Sequence, residues 1–161
     1  MSDSETRWLD ADQQRSWRAF VLGSTLLMDQ LDLELRRDFH VSLAEYEILV
    51  RLSERPQRSM RMAQLADAVC HSRSRVTHTI TRMEHGGLVV REPCPEDGRG
   101  VQARMTDAGF ALLERAAPAH VDGVRTHLVD TSSPDDFAAL GRVMDAVTDG
   151  LIGQHPEAEM R

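Results

Sequence analysis

The chain has 161 residues, enough for one domain with its own core, and no stretch is apolar for long enough to span a bilayer. Its opening residues, MSDSETRWLDADQQRSW, carry acids and no apolar segment, which excludes a secretory signal and sets the expectation of a cytoplasmic protein whose two cysteines, Cys70 and Cys94, stay unpaired. The net charge of −7 argues against nucleic acid only until it is divided: between Arg55 and Arg104 nine arginines face five acids, a net of +4, and the flanks hold −11.

Residues 1–12 read as a disordered acidic leader. From Gln13, the apolar residues Trp17, Phe20, Val21, Leu27, Met28, Leu31 and Leu35 recur at steps of three and four, which predicts a long amphipathic helix ending near Phe39. Ser42 and Glu45 form a capping box that opens a second helix, closed by Arg55-Pro56. A short third helix covers Met62 to Val69, with Met62, Leu65, Ala66 and Val69 on one face. Ser72 caps a fourth, in which Val76, Ile80 and Met83 face inward and Gly86 and Gly87 supply left-handed positions that end it.

LVVRE then reads as a strand, Pro93 to Gly100 as a long turn, and VQARM as the returning strand, with Val101, Ala103 and Met105 on one side. Thr106 caps a helix carrying Phe110, Leu112, Leu113, Ala116 and Ala117, expected to kink at Pro118 before Val121, Val124 and Leu128. Ser133 and Pro134 start a last helix built on Phe137, Leu140, Val143, Met144, Val147 and Leu151, and residues 153–161 read as a flexible tail. The fold class is therefore mainly α with a small β-hairpin wing: a winged helix-turn-helix lobe over 41–105, flanked by long helices over 13–40 and 106–152, the first of a length that suits a dimer or a second layer.

Three segments carry a family resemblance: QLADAV, SRVTHTITRMEHGGLVVR, and above all DGRGVQARMT, an Asp-x-Arg turn followed by an aliphatic residue and Thr ahead of Gly109. In this order the chain resembles the multiple antibiotic resistance regulator (MarR) family of dimeric bacterial transcription factors. Arg61 departs from the pattern, standing where a Thr or Ser often caps the third helix, and Met105 replaces the commoner leucine.

Ser72, Arg73, Ser74, Arg75, Thr77, His78 and Arg82 lie at the front and on the exposed side of the fourth helix. They suit major-groove and phosphate contacts, with Arg73 or Arg75 reading guanine and Arg82 holding phosphate. A solvated polar face is the plainer reading. The resemblance implies a minor-groove role for Arg99 at the wing tip, while Asp97 and Gly98 suit turn chemistry that shapes it. It also implies an effector pocket between the dimerisation helices and the DNA-binding lobe. Trp17, Phe20, Ser24, Met28, His40 and Tyr46 could line it for a small aromatic or phenolic ligand, or be ordinary core.

No histidine pair sits at metal-binding spacing beside a carboxylate, so no metal and no cofactor are expected. No nucleophile with a base and no phosphate loop is visible, so an enzyme is not expected either. Cys70, ahead of a helix N-terminus, is expected to be buried in its turn. These readings converge on a homodimeric regulator of double-stranded DNA carrying a pseudo-palindromic operator, a repressor released by a small molecule. Two alternatives stay open: a winged-helix protein-interaction module without DNA binding, and a thiol-based redox regulator of the same fold.

Overall fold

The computed structural model describes residues 6–94 and 100–154. In chain order these form α1 (Ala11–Phe39), α2 (Leu43–Ser53), β1 (Ser59–Arg61), α3 (Met62–Ala68), α4 (Arg73–His85), β2 (Val89–Pro93), β3 (Val101–Met105), α5 (Asp107–His127) and α6 (Pro134–Leu151). The chain has the mainly helical, winged architecture that its patterning predicts.

Helix ends follow local chemistry. α1 starts two residues earlier than its apolar pattern suggests, because Asp10 and Gln13 form a capping box at the front of the helix. Ser42 and Glu45 do the same for α2, and Ser72, Thr106 and Ser133 each accept a backbone N–H at the start of α4, α5 and α6. Arg61 provides no side-chain cap for α3. Of the two glycines after α4, only Gly87 is left-handed, with φ 71°; Gly86 keeps a right-handed helical conformation. α5 runs as one continuous helix through Pro118. Pro118 and Glu114, whose carbonyl loses its donor there, are both exposed to water.

The sheet has the order β1-β3-β2, both pairs antiparallel. β1 was not anticipated: Ser59, Met60 and Arg61 pair with Arg104, Ala103 and Gln102, extending the hairpin to three strands. Three residues are too few to show alternation, and only the long-range pairing defines the strand. Pro93 is tolerated in β2 because that strand is an edge. On β3, Ala103 and Met105 are buried as the pattern predicts, whereas Val101, paired with Pro93 at the turn end of the hairpin, is exposed.

The core lies within the lobe. Ile48, Leu49 and Leu52 of α2 meet Leu65 of α3, Val76, Ile80 and Met83 of α4, Val89 of β2, and Leu35 at the end of α1. Full burial of each large aliphatic side chain contributes about 2 kcal/mol. α5 joins through Leu113 and Ala116. Outside the lobe the situation reverses. Trp17, Phe20, Val21, Leu22 and Leu26 on α1 are exposed, as are Phe137, Val143, Val147 and Leu151 on α6, which buries none of its residues.

Candidate nucleic-acid interface

α4 is held from below by Val76, Thr79, Ile80 and Met83, all buried. Helical periodicity then fixes what faces out. Ser74, His78, Thr81 and His85 run along the side opposite the core; Arg75 and Arg82 flank them toward α2, and Arg73, Thr77 and Glu84 flank them toward the wing. Ser72, Arg73, Ser74, Arg75, Thr77, His78 and Arg82 are all exposed, so the expected contact residues do share one accessible surface. Thr81, half-buried, and the exposed His85 continue the same side of the helix; past the second turn the sequence marks only Arg82, by its charge.

The first turn of α4 is electrostatically unusual. The partial positive charge at a helix N-terminus favours acids there, yet this turn has none and instead carries Arg73 and Arg75. Among the described residues no carboxylate forms an ion pair with either. Four other arginines of this basic segment are differently placed. Arg58 lies near Asp107, Arg82 bonds Glu45, Arg91 bonds Glu84 and Arg104 bonds Glu92. Two exposed guanidinium groups at the N-terminal turn of a helix favour an anion there.

The wing is tied to α4 by side chains. Glu84 accepts from the Arg91 backbone N–H at 2.9 Å, from Nε at 3.0 Å and from Nη2 at 2.7 Å, and Nη2 also reaches the Thr81 hydroxyl at 3.2 Å. These donors hold the Glu84 carboxyl below its ordinary range. Across the hairpin, Glu92 accepts from Gln102 at 2.9 Å and from Arg104 at 3.1 Å, which lowers its pKa as well. At the lobe's base, Thr106 Oγ1 donates to the Gly87 carbonyl at 2.7 Å and accepts from Gly109, locking the strand-to-helix corner. Asp97, Gly98 and Arg99 lie outside the described residues; the Cys94 N–H donates to the Gly100 carbonyl at 2.9 Å on either side of them.

A cavity of about 500 Å³ opens between α1, α2 and α5, walled by Leu27, Leu31, Leu43, Val50, Val124 and Leu128, with Glu47, Arg51, Cys70 and His120 as its polar groups. Met28 and Tyr46 line it. Trp17, Phe20 and Ser24 do not, since they sit higher on α1, and His40 does not, since its left-handed conformation (φ 59°) ends that helix. His120 packs against Tyr46 with ring centroids 4.5 Å apart and the rings tilted by 43°, and its Nδ1 is buried without a hydrogen-bond partner. Burial pushes the His120 pKa down and the Tyr46 pKa up, so both rings are held neutral. The expectation for Cys70 is corrected: it is exposed at a left-handed position (φ 50°) between α3 and α4, and Cys94 is the buried thiol. Among the described residues no group of three His, Cys, Asp or Glu side chains could hold a metal ion, and no helix is long and apolar enough to cross a membrane.

A three-stranded wing behind a helix with an arginine-bearing N-terminus defines a winged helix-turn-helix DNA-binding protein. Residues 41–101 match the family model described as MarR family. The transcriptional regulator PecS of Dickeya dadantii is 31% identical over 123 residues, 74% of each chain. Sco3205 of Streptomyces coelicolor, a MarR family transcriptional regulator crystallised in complex with DNA, superposes with a TM-score of 0.88 at 43% identity over 92% of this chain and 93% of that one. AbsC, a MarR family regulator from the same organism, gives 0.86 at 40% identity over 92% and 99%. The chain belongs to the MarR family, and it is a DNA-binding transcriptional regulator.

Proposed function

We propose that the protein is a homodimeric repressor that places α4 of each copy in successive major grooves of a pseudo-palindromic operator and the wing in the adjacent minor groove, and that it is not an enzyme. The observation that carries this reading is the first turn of α4, where Arg73 and Arg75 stand exposed at a position the helix dipole disfavours. Ser72, Ser74, Thr77 and His78 surround them with further donors. Arg99 serves the minor groove, with Asp97 and Gly98 shaping the turn. The DNA complex of Sco3205 supports the same mode here.

The second copy is expected on the exposed apolar faces of α1 and α6. Apolar surface on two long helices is costly in water, and no residue of α6 is fully buried within its own chain. The dimerisation region is accordingly 13–40 with 106–152, and the DNA-binding lobe 41–105. Release by a small aromatic or phenolic ligand is favoured by the cavity between these regions, where Met28, Tyr46 and His120 offer apolar walls with few polar groups. Occupancy would release DNA by stabilising a lobe arrangement with unfavourable spacing.

Anisotropy titrations of Arg75→Ala test the reading on duplexes from the protein's own upstream region. Loss of discrimination among sequences, on the order of 1–3 kcal/mol at one base position, identifies Arg75 as a base reader. A uniform loss across all duplexes makes it a phosphate contact instead. Unchanged binding would remove α4 from the interface.

A further inference from the structure

Arg82 lies on the flank of α4 that faces α2, and its surroundings distinguish it from Arg73 and Arg75. Its Nε donates to Glu45 Oε1 at 3.2 Å. The other oxygen of that carboxylate accepts from the Ser42 backbone N–H at 2.8 Å and from the Ser42 hydroxyl at 2.9 Å, while the Ser42 Oγ accepts from the Glu45 N–H at 3.2 Å. Glu45 is therefore gripped by the first turn of α2, and its side chain is only 13% exposed against 59% for Arg82. One residue along, the Leu43 N–H donates to Asp32 Oδ1 of α1 at 2.8 Å, and Asp32 is paired with Arg36. A continuous polar path thus runs from α1, through the first turn of α2, to α4.

We propose that Arg82 is a positioning residue. Its pair with Glu45 fixes the angle of the recognition helix relative to α1, and so the separation of the two recognition helices in the dimer. A guanidinium held at Nε by an immobilised carboxylate does not follow a phosphate without breaking that bond. Its charge is also already offset, so it adds little to the counterion release that drives DNA binding. The capping box and the joint use the same carboxylate, which links the start of α2 to the setting of α4. This assignment rests on the reading of the chain as a DNA-binding dimer.

The test is a double-mutant cycle of Arg82→Ala, Glu45→Gln and the pair, in the full chain. In Glu45→Gln the side-chain amide keeps one oxygen for the Ser42 N–H, as capping boxes allow, and turns its nitrogen toward Arg82. Anisotropy titrations use an operator duplex selected from a random library and two derivatives with the half-sites one base pair closer or farther apart, at about 50 to 200 mM salt. Each single change is expected to weaken operator binding by about tenfold, with the pair no weaker than either alone. The salt slope stays that of the wild type, and the preference among the three spacings flattens, which a purely structural role would not cause. A slope about one unit shallower for Arg82→Ala, with Glu45→Gln retaining affinity and spacing preference, makes Arg82 a phosphate contact and overturns the proposal. If Glu45→Gln melts early, Arg82→Ala decides alone by its slope and spacing preference, since it removes an exposed side chain. A wild type that binds no duplex in a salt-sensitive way overturns the DNA-binding reading, and the proposal with it.

Discussion

Gly109 shows how much a single position can demand. A Cβ built there would stand 2.2 Å from the Leu88 carbonyl oxygen and 2.9 Å from Met105 Cγ, and the first of these is backbone that cannot swing aside. Gly109→Ala should therefore cost about 3 kcal/mol or more in a urea denaturation, the range of overpacked cores, and a loss below about 1 kcal/mol would contradict the packing at the base of the wing. His120 makes a pH-dependent counterpart. Burial holds its folded pKa below the ordinary 6.5, so below that value the unfolded chain takes up the proton first. The stabilising effect of a neutral His120 is complete above pH 6.5 and is lost on acidification; His71, also depressed by burial and by Arg75, acts in the same direction. The urea midpoint should drop between pH 7.5 and 5.5, and His120→Phe should flatten that drop while keeping the ring on Tyr46; an undiminished pH slope in the variant would rule His120 out. Glu84 and Glu92 stay charged across this window, because their carboxyls titrate below the ordinary glutamate value. What could be read from the sequence at this scale is what is local. Ser42 and Glu45 are three residues apart and announce a cap, whereas the bond from Glu45 to Arg82 spans 37 residues and exists only once α2 and α4 have packed.

Among the elements, α4 is joined to β2 of the wing by three hydrogen bonds between Glu84 and Arg91. Exposed ion pairs contribute little to stability, so the consequence to look for is in geometry. Glu84→Ala should leave the melting temperature within about 2 °C, a change below about 0.5 kcal/mol, yet weaken operator binding several-fold by freeing the wing from the recognition helix. Unaltered DNA affinity would mean the wing is set by its strands alone. The six helices and the hairpin were legible because amphipathic periods and caps are written in adjacent residues. β1 was not legible, since its existence depends on β3 lying beside it. The pocket residues divided for a similar reason. Met28 and Tyr46 meet at the cavity, but the periodicity that also selected Trp17 and Phe20 marks a face without saying what covers it.

At the level of the whole molecule, two surfaces remain open in the single chain, and they call for different partners. The apolar faces of α1 and α6 suit a second copy, and the arginine-bearing end of α4 suits a polyanion. The acidic total does not oppose this, because +4 resides between Arg55 and Arg104 and the −11 of the flanks belongs to the long helices and termini. A dimer converts one recognition helix into two with a fixed separation, so the symmetry of the protein should be printed on its site. Selection of the full-length chain on a library of random duplexes measures this most directly. A dimer reading DNA through α4 enriches an inverted repeat whose half-sites lie about one helical turn, roughly 10 base pairs, apart. Enrichment of a single unrepeated half-site, or of no sequence at all, would contradict it.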